Sequence, residues 1–363
     1  MAMTSEQRVT IEPTEEATIH HSAETDRTAP HLLDDPAFRR YWFPLVRTDA
    51  LADGPVARHL LGEELVVWSP APGVVSAASN RCPHRDARLS TGWMEECGLV
   101  CPYHGWAFGE RGEATRIPQI PEGGQFPSKA SLQTYPATER YGWVWVTLSD
   151  DPVLPIPDIT ESGADGWRVI HEPESDWACT AVHLIDNNID PGHIAYVHEA
   201  SFGTPLRPEV EVPDIERNDA GLRLSYEVAV ESRPGEIGST VRNTTNQLYG
   251  PFMMINRITY PDGLQHLMVK ACTPATATTT HQLQMVFRND TEEQRPGSDV
   301  IAFDGQVWDE DRAVLEHCWT DFRLDLTDNV HLKTDKASIE YRRWLRRLVD
   351  ADRSADPHEQ GAA

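Results

Sequence analysis

The chain has 363 residues, 39% of them apolar and 25% charged, with 11 tryptophans, which is the composition of a globular protein able to bury a core and excludes a fibre or an unfolded chain. Two domains are the default at this length, because single cores cluster near ~100 to 150 residues. Against 32 Lys and Arg stand 57 Asp and Glu, a net charge of −25, which argues against nucleic acid as a partner and is accounted for by a solvated acidic surface.

Residues 1–34 are rich in Glu, Thr and Ser and poor in large apolar side chains, so they read as a disordered tail, and no basic segment followed by an apolar one marks a secretory signal. The longest apolar runs, 64–68 and 142–146, fall far short of the ~20 residues that span a bilayer. The expectation is a cytoplasmic protein without a membrane segment. In that setting the cysteines at 82, 97, 101, 179, 272 and 318 stay reduced unless they bind metal. Short alternating apolar segments broken by Gly and Pro predict an all-β domain over 35–151. A Pro-rich stretch at 150–157 then opens a second domain, 152–350. Its pattern predicts a helix over 178–197 interrupted at Pro191, strands over 222–290, and helices over 307–322 and 335–349, leaving 351–363 as a flexible tail. Strands flanked by helices make this second domain α+β.

Within the β domain, Cys82-Pro83-His84 and Cys101-Pro102-Tyr103-His104-Gly105-Trp106 place two thiolates and two imidazoles in two loops. Such a mixed set suits a 2Fe-2S cluster in which sulfurs hold one iron and histidines the other, with aromatics such as Trp106 and Phe108 to shield it. A structural zinc site of two Cys and two His is the alternative, to which the one-residue Cys-x-His spacing is a poor match. Arg81, Arg85 and Arg88 flank the first loop, either as ordinary solvated arginines or as a docking surface for a redox partner.

In the second domain, the stretch from Asp186 to His198 sets His193 and His198 five residues apart, with Asp190 three before the first. On a regular helix that spacing leaves the two rings ~140° apart, so the helix must break for them to converge, and Pro191 and Gly192 stand where the break is needed. Two imidazoles and a carboxylate on one side of a ferrous ion leave positions open for oxygen.

Taken together, Arg81-Cys82-Pro83-His84-Arg85, Cys101-Pro102-Tyr103-His104-Gly105-Trp106 and the Asn187-x-x-Asp190-x-x-His193-x-x-x-x-His198 stretch resemble the motifs of the Rieske non-haem iron oxygenases, over about residues 38–350. Within that family the resemblance is to the demethylating group of dicamba monooxygenase and vanillate O-demethylase. It implies a Rieske domain followed by a helix-grip catalytic domain of antiparallel sheet and helices. Cys82, His84, Cys101 and His104 would hold a 2Fe-2S cluster, and His193 and His198 one Fe(2+) per subunit. Residues 307–316 look like the family's acidic helix start, which makes Asp311 the third iron ligand, with Asp309 and Glu310 as acids at a helix N-terminus. Asn187 opens the motif and joins the catalytic set. Asp190 would bridge His193 to the cluster ligand His104 of a neighbouring subunit, or cap a helix starting at Pro191.

The implied function is the terminal oxygenase of a system that uses O2 and electrons from a ferredoxin or flavin reductase to demethylate or hydroxylate a small ring compound, as a homotrimer. An arene cis-dihydroxylating dioxygenase and an electron-carrying Rieske protein are the alternatives. The second histidine motif argues against the electron carrier. His281, among the strands that would supply the pocket, is either a substrate contact or a strand histidine facing solvent.

Overall fold

Three small antiparallel sheets build the N-terminal half of the chain, in a computed structural model that describes residues 31–206, 208–230, 240–327 and 329–355. The first joins β1 (Phe43–Arg47), β11 (Trp143–Val146) and β10 (Ala137–Arg140). The second joins β2 (Val56–Leu60), β3 (Glu63–Ala71), β4 (Val74–Ser79) and β9 (Thr134–Tyr135). The third joins β5 (Trp93–Glu95), β6 (Gly98–Val100), β7 (Ala107–Phe108) and β8 (Ala114–Arg116). The period-2 pattern of each strand decides which face is buried. Val66 and Trp68 of β3 meet Leu99 and Phe108 from the third sheet, and the side chains of Cys82 and Cys101 pack at the edge of this cluster. At β6 the turn requires Gly98, whose φ is +115° and whose added Cβ would stand 2.0 Å from the Phe108 carbonyl oxygen.

The chain then enters the strands β12 (Arg168–His171) and β13 (Ser175–Trp177), and the helices α1 (Ala181–Asn188) and α2 (Ile194–Val197). Strands β14 (Asp214–Asn218), β15 (Gly221–Val230), β16 (Thr240–Leu248), β17 (Met253–Thr259), β18 (Gln265–Pro274) and β19 (Thr280–Arg288) follow, and α3 (Gly297–Leu315) and α4 (Lys336–Ala355) close the fold. The strands form one antiparallel sheet in the order β12-β19-β18-β17-β16-β15-β14, with β13 also paired to β19. Paired residues share a face, so Tyr226, Thr244, Ile258, His266 and Arg288 stand in one row across five strands. Every residue of β19 is buried: Leu283, Met285 and Phe287 pack with Trp143 and Trp145 of β11, and Val286 packs with Val300 of α3. This is the all-β domain followed by an antiparallel sheet with helices that the sequence implies.

Several boundaries differ from the expected ones. The folded body starts at His31, whose ring nitrogen accepts from the Leu33 N–H while Leu33 itself is buried, so the last residues of the 1–34 tail are ordered, and 1–30 lie outside the described residues. Helix α3 begins at Gly297 and ends at Leu315 in place of 307–322. The polar turns before Val307 hide it, because Asp304 and Asp299 lie where an apolar stripe is looked for. Helix α4 continues to Ala355, so the expected tail 351–363 is helical in its first five residues, and the rest lies outside the description. One core also runs through both halves, since Phe38 and Leu45 pack in the same cluster as Ile185, Phe252 and Tyr341. Among the described residues no helix is long and apolar enough to cross a membrane.

Candidate metal centres and the cavity beside them

Two loops of the same design carry the first set of donors. In one, the Cys82 N–H donates to Ala87 O and the Asp86 N–H to Cys82 O. In the other, the Cys101 N–H donates to Trp106 O and the Gly105 N–H to Cys101 O. Each closes on a left-handed residue at the same position, Asp86 at φ +59° and Gly105 at φ +72°. Both cysteine side chains are buried, and burial together with the neighbouring Cys101 pushes the Cys82 thiol up to about 11. The imidazoles of His84 and His104 lie 4.4 Å apart by ring centroid, and His84 stacks at 6° on Trp106. Nδ1 of each imidazole is buried without a hydrogen-bond partner. Buried nitrogens are normally satisfied, so two orphaned Nδ1 atoms beside two buried thiols fit a cluster held by four protein ligands. Gln119 clamps the second loop, donating to His104 O at 3.0 Å and accepting from the Trp106 indole at 2.9 Å. Sequence reasoning gave no signal for it. Arg81 and Arg88 are paired with Asp86 at 2.7 Å and Glu64 at 3.0 Å.

The second set forms where α1 gives way to α2. Thr180 caps α1, its hydroxyl accepting from the His183 N–H, and the helix stops at Asn188. Asp190 then accepts the Gly192 N–H at 2.8 Å and the His193 N–H at 3.1 Å, which folds the chain back and turns His193 toward His198 at the end of the four-residue α2. The break falls at the Pro-Gly pair, as the five-residue spacing demands. His193 Nε2 and His198 Nε2 are 3.2 Å apart, and Asp311 Oδ1 lies 3.6 and 3.4 Å from them. Donors at neighbouring corners of an octahedron with bonds of ~2.1 Å stand about 3 Å apart, so one ion fits all three. His198 Nδ1 is 2.9 Å from Glu310 Oε2, so its N–H lies there and the Nε2 lone pair faces the site. Burial holds His198 below the usual histidine range, against the pull of Asp311 and Glu310, and so keeps it neutral.

Asn187 donates to Asp311 Oδ1 at 3.0 Å and fixes that carboxylate. Ser201 and Gln306 donate to Glu310 at 2.7 and 3.0 Å. Glu310 is therefore not an acid at a helix N-terminus. Residues 309–311 lie near the C-terminal end of α3, where Asp309 is exposed and Asp311 buried. Burial raises the Asp190 carboxyl, but the His193 side chain and the Gly192 and His193 N–H groups outweigh it and hold the acid below its ordinary range. Its Oδ2 is 3.8 Å from His193 Nδ1, and among the described residues His104 is not one of its hydrogen-bond partners.

Beside the second set opens a cavity of about 730 Å³ between the sheet and α3. Met254, Ile258, Met268 and Phe303 give it apolar surface, and Asn256, His266, Lys270 and Arg288 give it polar surface. His281 does not line it. Its odd position on β19 turns it to the opposite face from Arg288, where it meets Asp176 at 2.6 Å. The polar lining residues went unremarked in the sequence, although the same parity rule, with β17 to β19 aligned, picks out the even positions.

Two families match this chain. Residues 177–351 match the vanillate O-demethylase oxygenase C-terminal domain, and residues 41–136 the Rieske [2Fe-2S] domain. Methylxanthine N1-demethylase of Pseudomonas putida is 30% identical over 337 residues, covering 89% of this chain and 91% of that protein. The N3-demethylase of the same organism is 26% identical, covering 89% and 93%. The solved N1-demethylase of Pseudomonas putida CBB5 with caffeine superposes with a TM-score of 0.78 at 27% identity, over 89% of this chain and 94% of that one. Dicamba monooxygenase bound to dicamba shares the fold, with a TM-score of 0.74 at 22% identity over 87% and 99%.

Proposed function

This chain belongs to the Rieske non-haem iron oxygenases, and on that premise we propose that it removes a methyl group from the nitrogen or oxygen of a small, planar ring compound. It is the terminal oxygenase component, carrying a Rieske 2Fe-2S cluster and a mononuclear iron and taking electrons from a reductase or ferredoxin. When bound, the cluster supplies single electrons and the iron activates O2 beside the substrate. In this reading Cys82, His84, Cys101 and His104 hold the cluster, and His193, His198 and Asp311 hold the iron. Asn187 and Glu310 orient the iron ligands, and the apolar walls of the cavity orient the ring.

The observation that carries the reading is the convergence of His193, His198 and Asp311 within 3.6 Å of one another at a cavity of about 730 Å³. That volume suits one small molecule. The overall change balances as R–CH3 with O2, two electrons and two protons giving R–H, formaldehyde and water. The two N-demethylating relatives support demethylation over arene dihydroxylation. For assembly we propose a homotrimer in which the cluster of one subunit serves the iron of the next, with Asp190, whose Oδ2 lies 3.8 Å from His193 Nδ1, as the bridging carboxylate. The test is formaldehyde release from a panel of N- and O-methylated ring compounds with a surrogate reductase. Formaldehyde in step with O2 consumed is expected; a cis-diol, or no product from any compound, would overturn the reading.

A further inference from the structure

At the sheet end of the cavity, His266 on β18 and Asp304 on α3 face each other, both more than nine-tenths buried. His266 Nδ1 lies 3.1 Å from Arg288 NH1. A guanidinium only donates, so Nδ1 accepts and the proton of the neutral ring sits on Nε2. That Nε2 has no hydrogen-bond partner, and neither has Asp304 Oδ2, 3.6 Å away. An unpartnered donor therefore stands beside an unpartnered acceptor in a wall where buried polar groups are normally satisfied. Both residues line the cavity.

We propose that this pair reads the edge of a neutral heterocycle that carries a ring N–H next to a carbonyl, the N–H donating to Asp304 Oδ2 and the carbonyl accepting from His266 Nε2–H. The assignment rests on the demethylase reading and names its substrate class, a lactam or imide ring that is methylated elsewhere. Asp304 and the iron-site residue Asp311 are two turns apart on one face of α3, about 10 Å, which is the reach of a fused two-ring compound with a contact at each end. An anionic substrate does not suit this end of the cavity. Arg288 is committed to Asp290 at 3.0 Å, Lys270 to Asn188 at 2.9 Å and to the face of Trp308, and an added carboxylate would meet Asp304.

The protonation states agree with this geometry. Burial drives His266 down to about 4, so it is neutral near pH 7. Behind the wall, burial and then Asp304 push Glu172 up to about 9, so Glu172 is a neutral acid beside Asp304 and not a second negative charge.

The experiment is calorimetric titration of the purified, cluster-containing protein with theobromine and with caffeine. These two purine-diones differ only in whether one imide nitrogen, flanked by carbonyls, bears hydrogen or methyl. A buried site built for an N–H rejects the analogue that lacks it, so theobromine should bind at least about tenfold more tightly. Asp304→Leu should bring the ratio to about one, and His266→Phe should weaken theobromine about tenfold, the visible cluster spectrum reporting an intact fold in each. The inference falls if wild-type protein binds caffeine as tightly as theobromine, if it binds neither, or if folded Asp304→Leu keeps the preference. Its failure is separable from that of the function, since formaldehyde release from other methylated rings in the wider panel would leave the demethylase reading standing.

Discussion

His183 lies in the first turn of α1 with Nδ1 2.9 Å from the Thr180 hydroxyl and its ring edge-on to Phe322. Burial, helped by Arg342, lowers its pKa to about 4. The unfolded chain takes up that proton near the ordinary histidine value of about 6.5, so the stabilisation is complete above 6.5 and is lost as pH falls toward 4. We expect His183→Gln to flatten the acid limb of a melting-temperature profile between pH 7 and 4; parallel profiles for variant and wild type would contradict this. Glu310 poses a different question, because it orients His198 from outside the proposed iron site. Glu310→Ala should weaken iron binding about 10- to 100-fold, while Asp309→Ala, on the exposed face, should leave it unchanged. Equal iron content in the two variants would show that Glu310 does no such work. Residue types and spacing singled out His193 and His198 as candidate ligands, family resemblance added Asp311, and the fold brings the three within 3.6 Å of one another. Nothing in the sequence linked Glu310 to a histidine 112 positions away, or Gln119 to the His104 carbonyl, because those pairings exist only after the chain has folded.

Among the elements, the broken helix that carries the histidines depends on close backbone contact at Gly203. Its N–H donates to His198 O at 2.7 Å, and a Cβ there would stand 2.1 Å from the Ile194 carbonyl oxygen. Gly203→Ala must therefore push α2 off its seat and move His198. Iron content should fall while the visible cluster spectrum stays, since the cluster loops are remote in sequence and pack in their own core. Full iron loading in this variant would refute the argument. The break at Pro191 and Gly192 was readable because a rigid helix cannot converge residues five apart. The start of α3 was not, because the helix buries acids on its cavity face, Asp304 and Asp311, where sequence periodicity looks for apolar side chains. His281 failed for a related reason: a strand buried on both faces gives no alternation to tell its two sides apart.

For the whole molecule, the shared core of the two halves fixes the cluster domain on the catalytic sheet, while among the described residues the hydrogen bonds of Asp190 go to Gly192 and His193 and not to His104. If Asp190 and His104 meet between chains, co-expressed Cys101→Ser and His193→Ala subunits, each inactive alone, should regain activity in verified mixed trimers. Mixed trimers without activity, or a monomer by light scattering, would remove the inter-subunit route. The two-domain order and the β character of the first half were legible from apolar rhythm and motif order. The core shared by the two halves was not, because no local pattern records which distant faces pack together. The central claim, that His193, His198 and Asp311 hold one iron separate from the cluster, is tested most directly by counting iron and acid-labile sulfide per chain in wild-type protein and in His193→Ala. Wild type should contain the two irons and two sulfides of the cluster plus one further iron. The variant should lose that one iron and all product formation with its visible spectrum unchanged. A variant that keeps the further iron and wild-type turnover would contradict the account.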